Sequence, residues 1–336
     1  MASFRGGSSF TGGMFIANPE VFYTFEPLKI CSYNLPGYLS DFFQRTQDFL
    51  KVSCLRNLLS CQVRNYWQDL EFLDAGAKFN ATRMLWQPRI FGKVIQEAGM
   101  SATDTRINTI CQSRYKHRVT KVIRLQSIES LVTLMKDGVK VLYVVRDPRG
   151  TLNSRRRAPG NEHLGASALE EEAIKECTKH DDNLRFLIKA LQHGGDNELN
   201  DIIRRQLRIL RYDDMAREPV VYARRTYEFL NMTFSAAVQK HMLLNPYVYV
   251  WVLPKDFEAN TKHLSNHSQH VKEVFMHDWR NELNFEQVDM IQDVCNNMMN
   301  LLGITSFQRQ SELNDPQLSV ISKFPNNLLK GLTITV

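Results

Sequence analysis

Apolar residues along this chain occur in short runs that stop abruptly at charged residues or proline, a pattern typical of buried strands. The clearest run covers residues 139–145, VKVLYVV, which is apolar except for Lys140 and rich in β-branched side chains. This composition favours a strand that is buried on both faces of a parallel sheet. Three further segments of similar character are predicted as strands: residues 21–25, 119–125 and 206–212.

Longer segments before, between and after these strands predict helices. They cover residues 10–17, 127–136, 169–192, 219–230 and 285–302. The first is followed by Asn18-Pro19 and the last by Gly303, which are signals for the end of a helix. Alternating strands and helices indicate an α/β fold with a parallel sheet. Scattered leucines and aromatic residues within residues 28–116 predict a helical insertion there.

The strand at 139–145 runs directly into Arg146-Asp147-Pro148 and then into a helical segment that contains Ser154. In open α/β sheets, ligands bind beyond the carboxyl ends of the strands, where a helix start offers N–H groups to an anion. Arg146 adds a planar guanidinium group that binds phosphate bidentately. The turn therefore indicates a phosphate site. The alternative is that Arg-Asp-Pro only ends the strand with a local ion pair.

A second segment of the same kind lies at the amino terminus, with the sequence Arg5-Gly6-Gly7-Ser8-Ser9-Phe10-Thr11. Its glycines allow a close approach of the backbone to an oxyanion, and its serines supply hydroxyl and N–H donors. Alone, such a loop is more typical of a flexible start of a chain than of an anion site.

Together, the two segments resemble a known pair of motifs. RGGSSFT, followed by NPEVFYTFEPL, is similar to the 5′-phosphosulfate loop of the Golgi carbohydrate 6-O-sulfotransferases, and RDPRGTLNS is similar to the 3′-phosphate motif of that family. The resemblance continues through RYDDMAREP and WRNELNFEQVDMIQDVCNNMMNLLGI. It implies the sulfotransferase fold, a P-loop-like three-layer α/β/α arrangement around a central parallel sheet. We expect a sulfotransferase domain at 1–305, with an acceptor-side insertion at about 28–116, and a polar tail at 306–336.

The resemblance also implies an enzyme that moves a sulfuryl group from 3′-phosphoadenosine-5′-phosphosulfate (PAPS) to a sugar hydroxyl. The expected acceptor is a 6-OH of GlcNAc, Gal or GalNAc in a glycan or glycosaminoglycan. Arg5 is expected to stabilise charge on the leaving 5′-phosphate, Arg146 and Ser154 to hold the 3′-phosphate, Glu26 to act as general base, and Arg280 to close over the nucleotide. The full expected donor site, without a metal, is Arg5, Gly6, Gly7, Ser8, Ser9, Phe10, Thr11, Arg146, Ser154 and Arg280.

Three alternatives remain open from the sequence. Gly6 stands where the family usually has Ser or Thr, which removes a hydroxyl and favours a relative that binds a glycan or nucleotide without catalysis. A P-loop kinase would share the architecture, but GxxxxGK[ST] is absent and the first loop has no lysine. The third alternative, a nucleic-acid-binding protein, is supported by the net charge alone.

Composition narrows the class of protein. The 336 residues are 43% hydrophobic and 23% charged, which is an ordinary globular balance, and the net charge of +6 favours anionic partners. No apolar run approaches the roughly 20 residues that a membrane helix needs. By resemblance we expect a type II protein of the Golgi lumen, with a glycan or proteoglycan acceptor, no nucleic acid, and membrane attachment only through an anchor absent from this sequence. The four residues before Arg5 are too few for the full strand expected before the loop, so we expect either a truncated amino terminus or a form that has lost its anchor.

The cysteine and histidine spacings do not match metal sites. Four cysteines lie in the first half without a CxxC pair and are predicted as buried thiols or disulfides: Cys31, Cys54, Cys61 and Cys111. In an oxidising lumen, Cys177 and Cys295 are candidate partners for each other. Asp213-Asp214 follows a strand end, but a metal is not implied by the resemblance. Glycosylation triplets begin at Asn80, Asn231 and Asn266.

Overall fold

The computed structural model describes residues 1–28, 41–62, 104–158, 165–192, 198–244 and 277–335. These residues divide into two compact units. The first comprises Met1 and Phe15–Asp137, and the second comprises Ala2–Met14 and Gly138–Val336. The histidine-rich segment before His277, the triplets at Asn80 and Asn266, and Cys31 lie outside the described residues.

The first unit is built on one parallel pair of strands. β1 (Val21–Phe25) pairs along its whole length with β2 (His117–Lys121). β2 begins two residues earlier than the sequence predicts, because its register is set by β1 and not by its own mixed pattern of residues. Helices α2 (Asp41–Leu59) and α3 (Asp104–Arg114) accompany the strands, and a disulfide joins Cys61 to Cys111.

The connection that follows β2 contains less helix than predicted. A 3₁₀ turn covers Glu129–Leu131, and α4 covers Val132–Lys136. The helix ends at Gly138, whose φ of 87° lies in the left-handed region that glycine adopts without strain.

The second unit contains the other parallel pair, β3 (Val141–Val145) with β4 (Leu207–Arg211). Both strands are mostly buried, as the apolar runs in the sequence indicate. The α/β class with parallel strand pairs is therefore confirmed. Among the described residues the strands form two separate two-stranded sheets, so a single central sheet within three layers remains a prediction.

Two helices start at the loops proposed to bind the donor. α1 (Ser8–Ile16) begins two residues earlier than predicted. α5 (Pro148–Arg156) has Asp147 as its N-cap, whose side chain accepts a hydrogen bond from the Arg149 amide, and it has proline in its first turn.

The remaining helices of this unit are α6 (Ala166–Gln192), α7 (Glu198–Gln206), α8 (Tyr212–Arg217), α9 (Pro219–Leu230), α10 (Ala236–Leu244), α11 (Trp279–Glu282), α12 (Phe285–Leu302), α13 (Gln310–Leu313) and α14 (Asn327–Lys330). α12 has a capping box between Asn284 and Gln287 and ends at Gly303. A disulfide between Cys177 and Cys295 joins α6 to α12, which confirms the predicted pairing.

Residues 306–335 correct the prediction of a polar tail, because they belong to the second unit. The Ile209 amide in β4 donates to the Leu332 carbonyl, and the Ile334 amide donates to the Ile209 carbonyl, so this segment extends the sheet. Its apolar residues are spaced too irregularly to show as a strand or helix in the sequence. Those buried include Phe307, Leu313, Val320, Ile321, Phe324, Leu329, Leu332 and Ile334.

Candidate active site

The amino-terminal loop reverses direction through two residues with positive φ. Arg5 has a φ of 63° and Gly7 a φ of 83°. The Gly6 amide donates to the Ser3 carbonyl over 3.1 Å, which closes a tight turn before α1 starts at Ser8. A helix start presents N–H groups that lack acceptors within the helix. The loop is therefore an ordered turn that leads into a helix start, and not a flexible end of the chain.

The Tyr212 side chain packs against this loop at Gly7 and Phe10. It is the first residue after β4 and the first of α8. A Cβ placed on Gly7 would lie only 2.2 Å from Cδ2 of the Tyr212 ring, and the Phe10 ring meets the Tyr212 ring edge-on with centroids 5.7 Å apart. Gly7 is thus required both by its φ and by the contact with this ring.

Arg146 brings the second predicted anion site against the first. It follows β3 directly, and its Nη1 donates to the Arg5 carbonyl over 3.0 Å. Its guanidinium carbon lies 4.8 Å from the centre of the Tyr212 ring, which is within cation–π range. Its Nε is buried and has no hydrogen-bond partner among the described residues. An anion bound here would accept a hydrogen bond from this N–H group.

The first turns of α5 present one face to Arg146. A Cβ on Gly150 would lie 3.2 Å from both Nε and Nη2 of Arg146, so glycine makes room for the guanidinium group. Ser154 lies four residues later, on the same face of the helix. The Thr151 hydroxyl in the same turn is buried and unpartnered within the described part of the chain. By its spacing, Ser154 therefore lies on the helix face that carries Gly150 and meets Arg146. The Thr151 hydroxyl is a further buried polar group that the sequence pattern does not reveal.

A buried acidic pair lies beneath this helix start. The Asp147 amide donates to Asp213 Oδ2 over 3.1 Å, and the Asp147 carboxylate is bound by the Arg149 guanidinium. Burial and the charge of Asp147 raise the pKa of Asp213 to about 6. Asp214 is paired with Arg211. Asp213 thus joins the end of β4 to the end of β3, and Asp214 pairs with the last residue of β4.

Arg155 attaches the amino-terminal segment to α5. Its Nε donates to the Phe4 carbonyl, and its guanidinium group also binds Glu172 and Glu176 on α6. Burial acts to raise the pKa of Glu176, but the hydrogen bond and charge of His180, with the charge of Arg155, lower it to about 2. Arg155 is therefore a structural ion-paired residue, and it positions the backbone next to Arg5.

The tryptophan of the Trp279-Arg280 motif packs against the start of α5. A Cβ on Gly150 would lie 3.3 Å from Trp279 Cδ1, and the Arg149 guanidinium carbon lies 4.3 Å from the centre of the Trp279 ring. Arg280 donates from Nη1 to the Asp315 carbonyl and from Nη2 to the Leu318 carbonyl. Its guanidinium group therefore holds the segment after α13, and the predicted closure over a nucleotide remains a prediction.

His277 was not predicted from the sequence. Burial lowers its pKa to about 4; Asp147 opposes this, and Arg280 and Arg146 contribute to it. His277 is therefore uncharged at neutral pH within the electrostatic field of Arg146. Its Nδ1 is buried and has no partner among the described residues. Only its position next to the Trp279 motif could have drawn attention to it.

Glu26 belongs to the first unit, immediately after β1. Its φ is 49°, an unusual value for a residue with a side chain. Its Oε1 accepts from Lys121 Nζ over 2.7 Å, and its Oε2 accepts from Arg124 Nη1 over 3.2 Å. The hydroxyl of Tyr23 is buried without a partner in the described structure, and burial together with the charge of Glu26 raises its pKa. The carboxylate is therefore held in a fixed direction by two cations.

Metal clusters and membrane spans are both absent from the described residues. No group of three or more His, Cys, Asp or Glu side chains in these ranges is arranged to hold a metal ion. None of the described helices is both long and apolar enough to cross a membrane.

Comparison with known proteins identifies the family of this chain. The family model for the sulfotransferase domain matches residues 39–303. Carbohydrate sulfotransferase 5 of Homo sapiens is 24% identical over 352 residues, covering 96% of this chain and 80% of the relative. Carbohydrate sulfotransferase 1 of Danio rerio is also 24% identical, with 96% and 80% covered, and carbohydrate sulfotransferase 6 of Homo sapiens is 23% identical, with 96% and 84% covered. The chain therefore belongs to the sulfotransferase domain family, and within it to the carbohydrate sulfotransferases.

Proposed function

We propose that this protein transfers a sulfuryl group from PAPS to a sugar hydroxyl, specifically a 6-OH of GlcNAc, Gal or GalNAc. The observation that carries the proposal is the hydrogen bond from Arg146 to the Arg5 carbonyl, across 141 positions of the chain. Each of these arginines belongs to a segment suited to an anion, and PAPS carries phosphate at both its 5′ and 3′ positions. One donor molecule therefore satisfies both segments.

The residues present fit the donor. Arg146 Nε and the Thr151 hydroxyl are buried polar atoms without partners in the described structure. Ser154 lies by its spacing on the helix face whose Gly150 meets Arg146. These groups would hold the 3′-phosphate. Arg5 and the start of α1 would hold the 5′-phosphosulfate and stabilise the charge that grows on the leaving phosphate oxygen. Removing one such donor typically lowers the rate by about 10²-fold or more.

Glu26 would accept the proton of the attacking sugar hydroxyl. Both Arg5 and Glu26 have positive φ, and such strain costs about 1–3 kcal/mol and is concentrated at functional sites. The ion pairs with Lys121 and Arg124 orient the carboxylate. In-line transfer of this kind depends on positioning and charge stabilisation, with little covalent work for the protein.

The lumen of the Golgi is the proposed location, with a glycan or proteoglycan as the acceptor. The two disulfides, Cys61–Cys111 and Cys177–Cys295, support an oxidising compartment. Asn231, which begins a glycosylation triplet, is exposed at the end of α9.

The test is transfer of radiolabelled sulfate from PAPS to a panel of hexose acceptors, followed by mapping of the sulfated position. We expect a 6-O-sulfated product and no dependence on added magnesium. Glu26→Gln should lower turnover by at least about 10²-fold and leave donor affinity nearly unchanged. The Glu20→Gln variant is the control, because Glu20 is a carboxylate on the same segment that pairs with Lys116. Donor binding without transfer to any acceptor would contradict the proposal and favour the inactive relative.

A further inference from the structure

A second cluster of cations lies at the opposite edge of the β3–β4 sheet. Lys140 immediately precedes β3, and Arg208 is the second residue of β4, so both lie at the amino ends of strands whose carboxyl ends carry the candidate site. Arg204 and Arg205 lie in the last turn of α7. We call these four residues the basic edge.

Two of these cations share one aromatic ring. Lys140 Nζ lies 5.1 Å and the Arg208 guanidinium carbon 4.7 Å from the centre of the Phe229 ring. Lys140 donates to the Phe229 carbonyl, and Arg208 Nη1 donates to the carbonyls of Arg204 and Leu207. Backbone carbonyls orient these cations but do not neutralise them.

The electrostatics of the basic edge are unfavourable in the absence of an anion. Burial and the charge of Arg208 lower the pKa of Lys140, and burial lowers the pKa of Arg208. Arg204 and Arg205 donate to the Asn200 side chain and the Asp201 carbonyl. None of the four is ion-paired with a carboxylate of the described residues, and the nearby Glu228 is paired with Arg225.

Four other arginines of this unit show the contrast. Each is ion-paired with at least one carboxylate, namely Arg149, Arg155, Arg157 and Arg211. A set of partly exposed cations that lacks such compensation attracts anions from solution.

We infer that the basic edge binds an anionic polysaccharide, the chain on which the proposed transfer takes place. The choice of occupant rests on the proposed function, because each transfer adds a sulfate to the chain and so creates an anion for this surface. The strands have five residues and are about 17 Å long. Only an acceptor longer than this reaches both the basic edge, at the amino ends of the strands, and the candidate site at their carboxyl ends. Binding at the basic edge raises the effective concentration of the acceptor at the candidate site.

The experiment compares Lys140→Gln/Arg208→Gln with the control Lys175→Gln/Arg309→Gln, which removes the same charge from exposed side chains elsewhere in the unit. Binding of a long fluorescent heparin fragment is measured without donor, over a series of salt concentrations. We expect about 10- to 30-fold weaker binding in the first variant, a shallower salt dependence, and little change in the control. Arg204→Gln/Arg205→Gln provides a second test at exposed positions, in case the first variant is destabilised.

Catalysis separates this inference from the proposed function. With long polymers, the Lys140→Gln/Arg208→Gln variant should raise KM about tenfold, and transfer to a monosaccharide acceptor should remain unchanged. Equal weakening in the control, unchanged heparin binding, or tighter binding of duplex DNA or anionic vesicles would overturn the inference. If wild-type protein binds heparin through the basic edge but sulfates no acceptor, the proposed function is wrong, and the basic edge is still a polysaccharide-binding surface.

Discussion

The substitution Gly7→Ala tests whether the amino-terminal loop must pack against Tyr212 to bind the donor. The new Cβ would lie 2.2 Å from Cδ2, 2.5 Å from Cγ and 3.0 Å from Cβ of Tyr212. Favourable contacts between carbon atoms begin at about 3.5 Å, so the overlap exceeds about 1 Å. Rotation of the ring does not relieve it, because Tyr212 Cβ is also too close. The loop itself has to move.

Two costs follow from this movement. The φ of 83° at Gly7 adds about 1–2 kcal/mol of strain for a residue with a side chain. The larger effect is on function, because a displacement of about 1 Å in a positioned group lowers activity by on the order of 10²-fold. We therefore expect donor affinity and kcat/KM to fall together, by about that factor, in a protein that still folds.

Gly138→Ala is the matched control. Gly138 has nearly the same φ, 87°, but no atom lies within 4 Å of the position that a Cβ would take there. The Gly138→Ala variant should lose about 1–2 kcal/mol of stability in urea unfolding, the same strain cost as expected at Gly7, and keep wild-type donor affinity. Calorimetric titration with 3′-phosphoadenosine 5′-phosphate measures the affinity of both variants. If Gly7→Ala binds this nucleotide within about twofold of wild type, the loop does not need its contact with Tyr212 and the reasoning is refuted.

Three further predictions concern residues around the site. Gly150→Ala should push the Arg146 guanidinium aside and weaken binding of the same nucleotide about 10- to 100-fold, the cost of losing a charge-assisted hydrogen bond; wild-type affinity would contradict this. Replacing Cys177 and Cys295 by serine opens a cross-link that spans 118 residues and should lower the free energy of unfolding by about 4–5 kcal/mol; a loss below about 1 kcal/mol would count against it. The pKa of Glu176 is lowered to about 2 from an unperturbed 4.5, so its stabilisation is complete above pH 4.5 and is lost as the pH falls toward 2. Urea midpoints between about pH 5 and 2.5 should therefore fall more steeply in wild type than in Glu176→Gln, with roughly 3 kcal/mol at stake.

Local signals in the sequence predicted much of the fold. β1, α9 and α12 begin and end where expected, because Pro27, Pro219 and Gly303 act on the backbone within one or two residues. β2 was displaced because its ends depend on pairing with β1, which lies far away in the chain. The segment 306–335 was misjudged for a related reason. Its buried residues are isolated along the sequence and become a core only by packing on the rest of the unit.

Local signals in the sequence also indicated part of the candidate site. A strand followed by Arg146-Asp147-Pro148 indicated an anion site, since strand and helix ends act locally. Gly150 and His277 gave no such signal. Their importance comes from tertiary neighbours, namely the Arg146 guanidinium beside Gly150 and the charges around His277. Arg280 is the opposite case, a motif residue that the sequence predicted for the site. Its guanidinium group donates to backbone carbonyls in the segment that the sequence predicted as a tail.

Calorimetric comparison of 3′-phosphoadenosine 5′-phosphate with adenosine 5′-phosphate tests the central claim most directly. Wild-type protein should prefer the bisphosphate by at least about 10²-fold, since Arg146 and Ser154 would hold the additional phosphate. The Arg146→Ala/Ser154→Ala variant should lose most of that preference. Equal affinity of the wild-type protein for the two nucleotides would contradict the account.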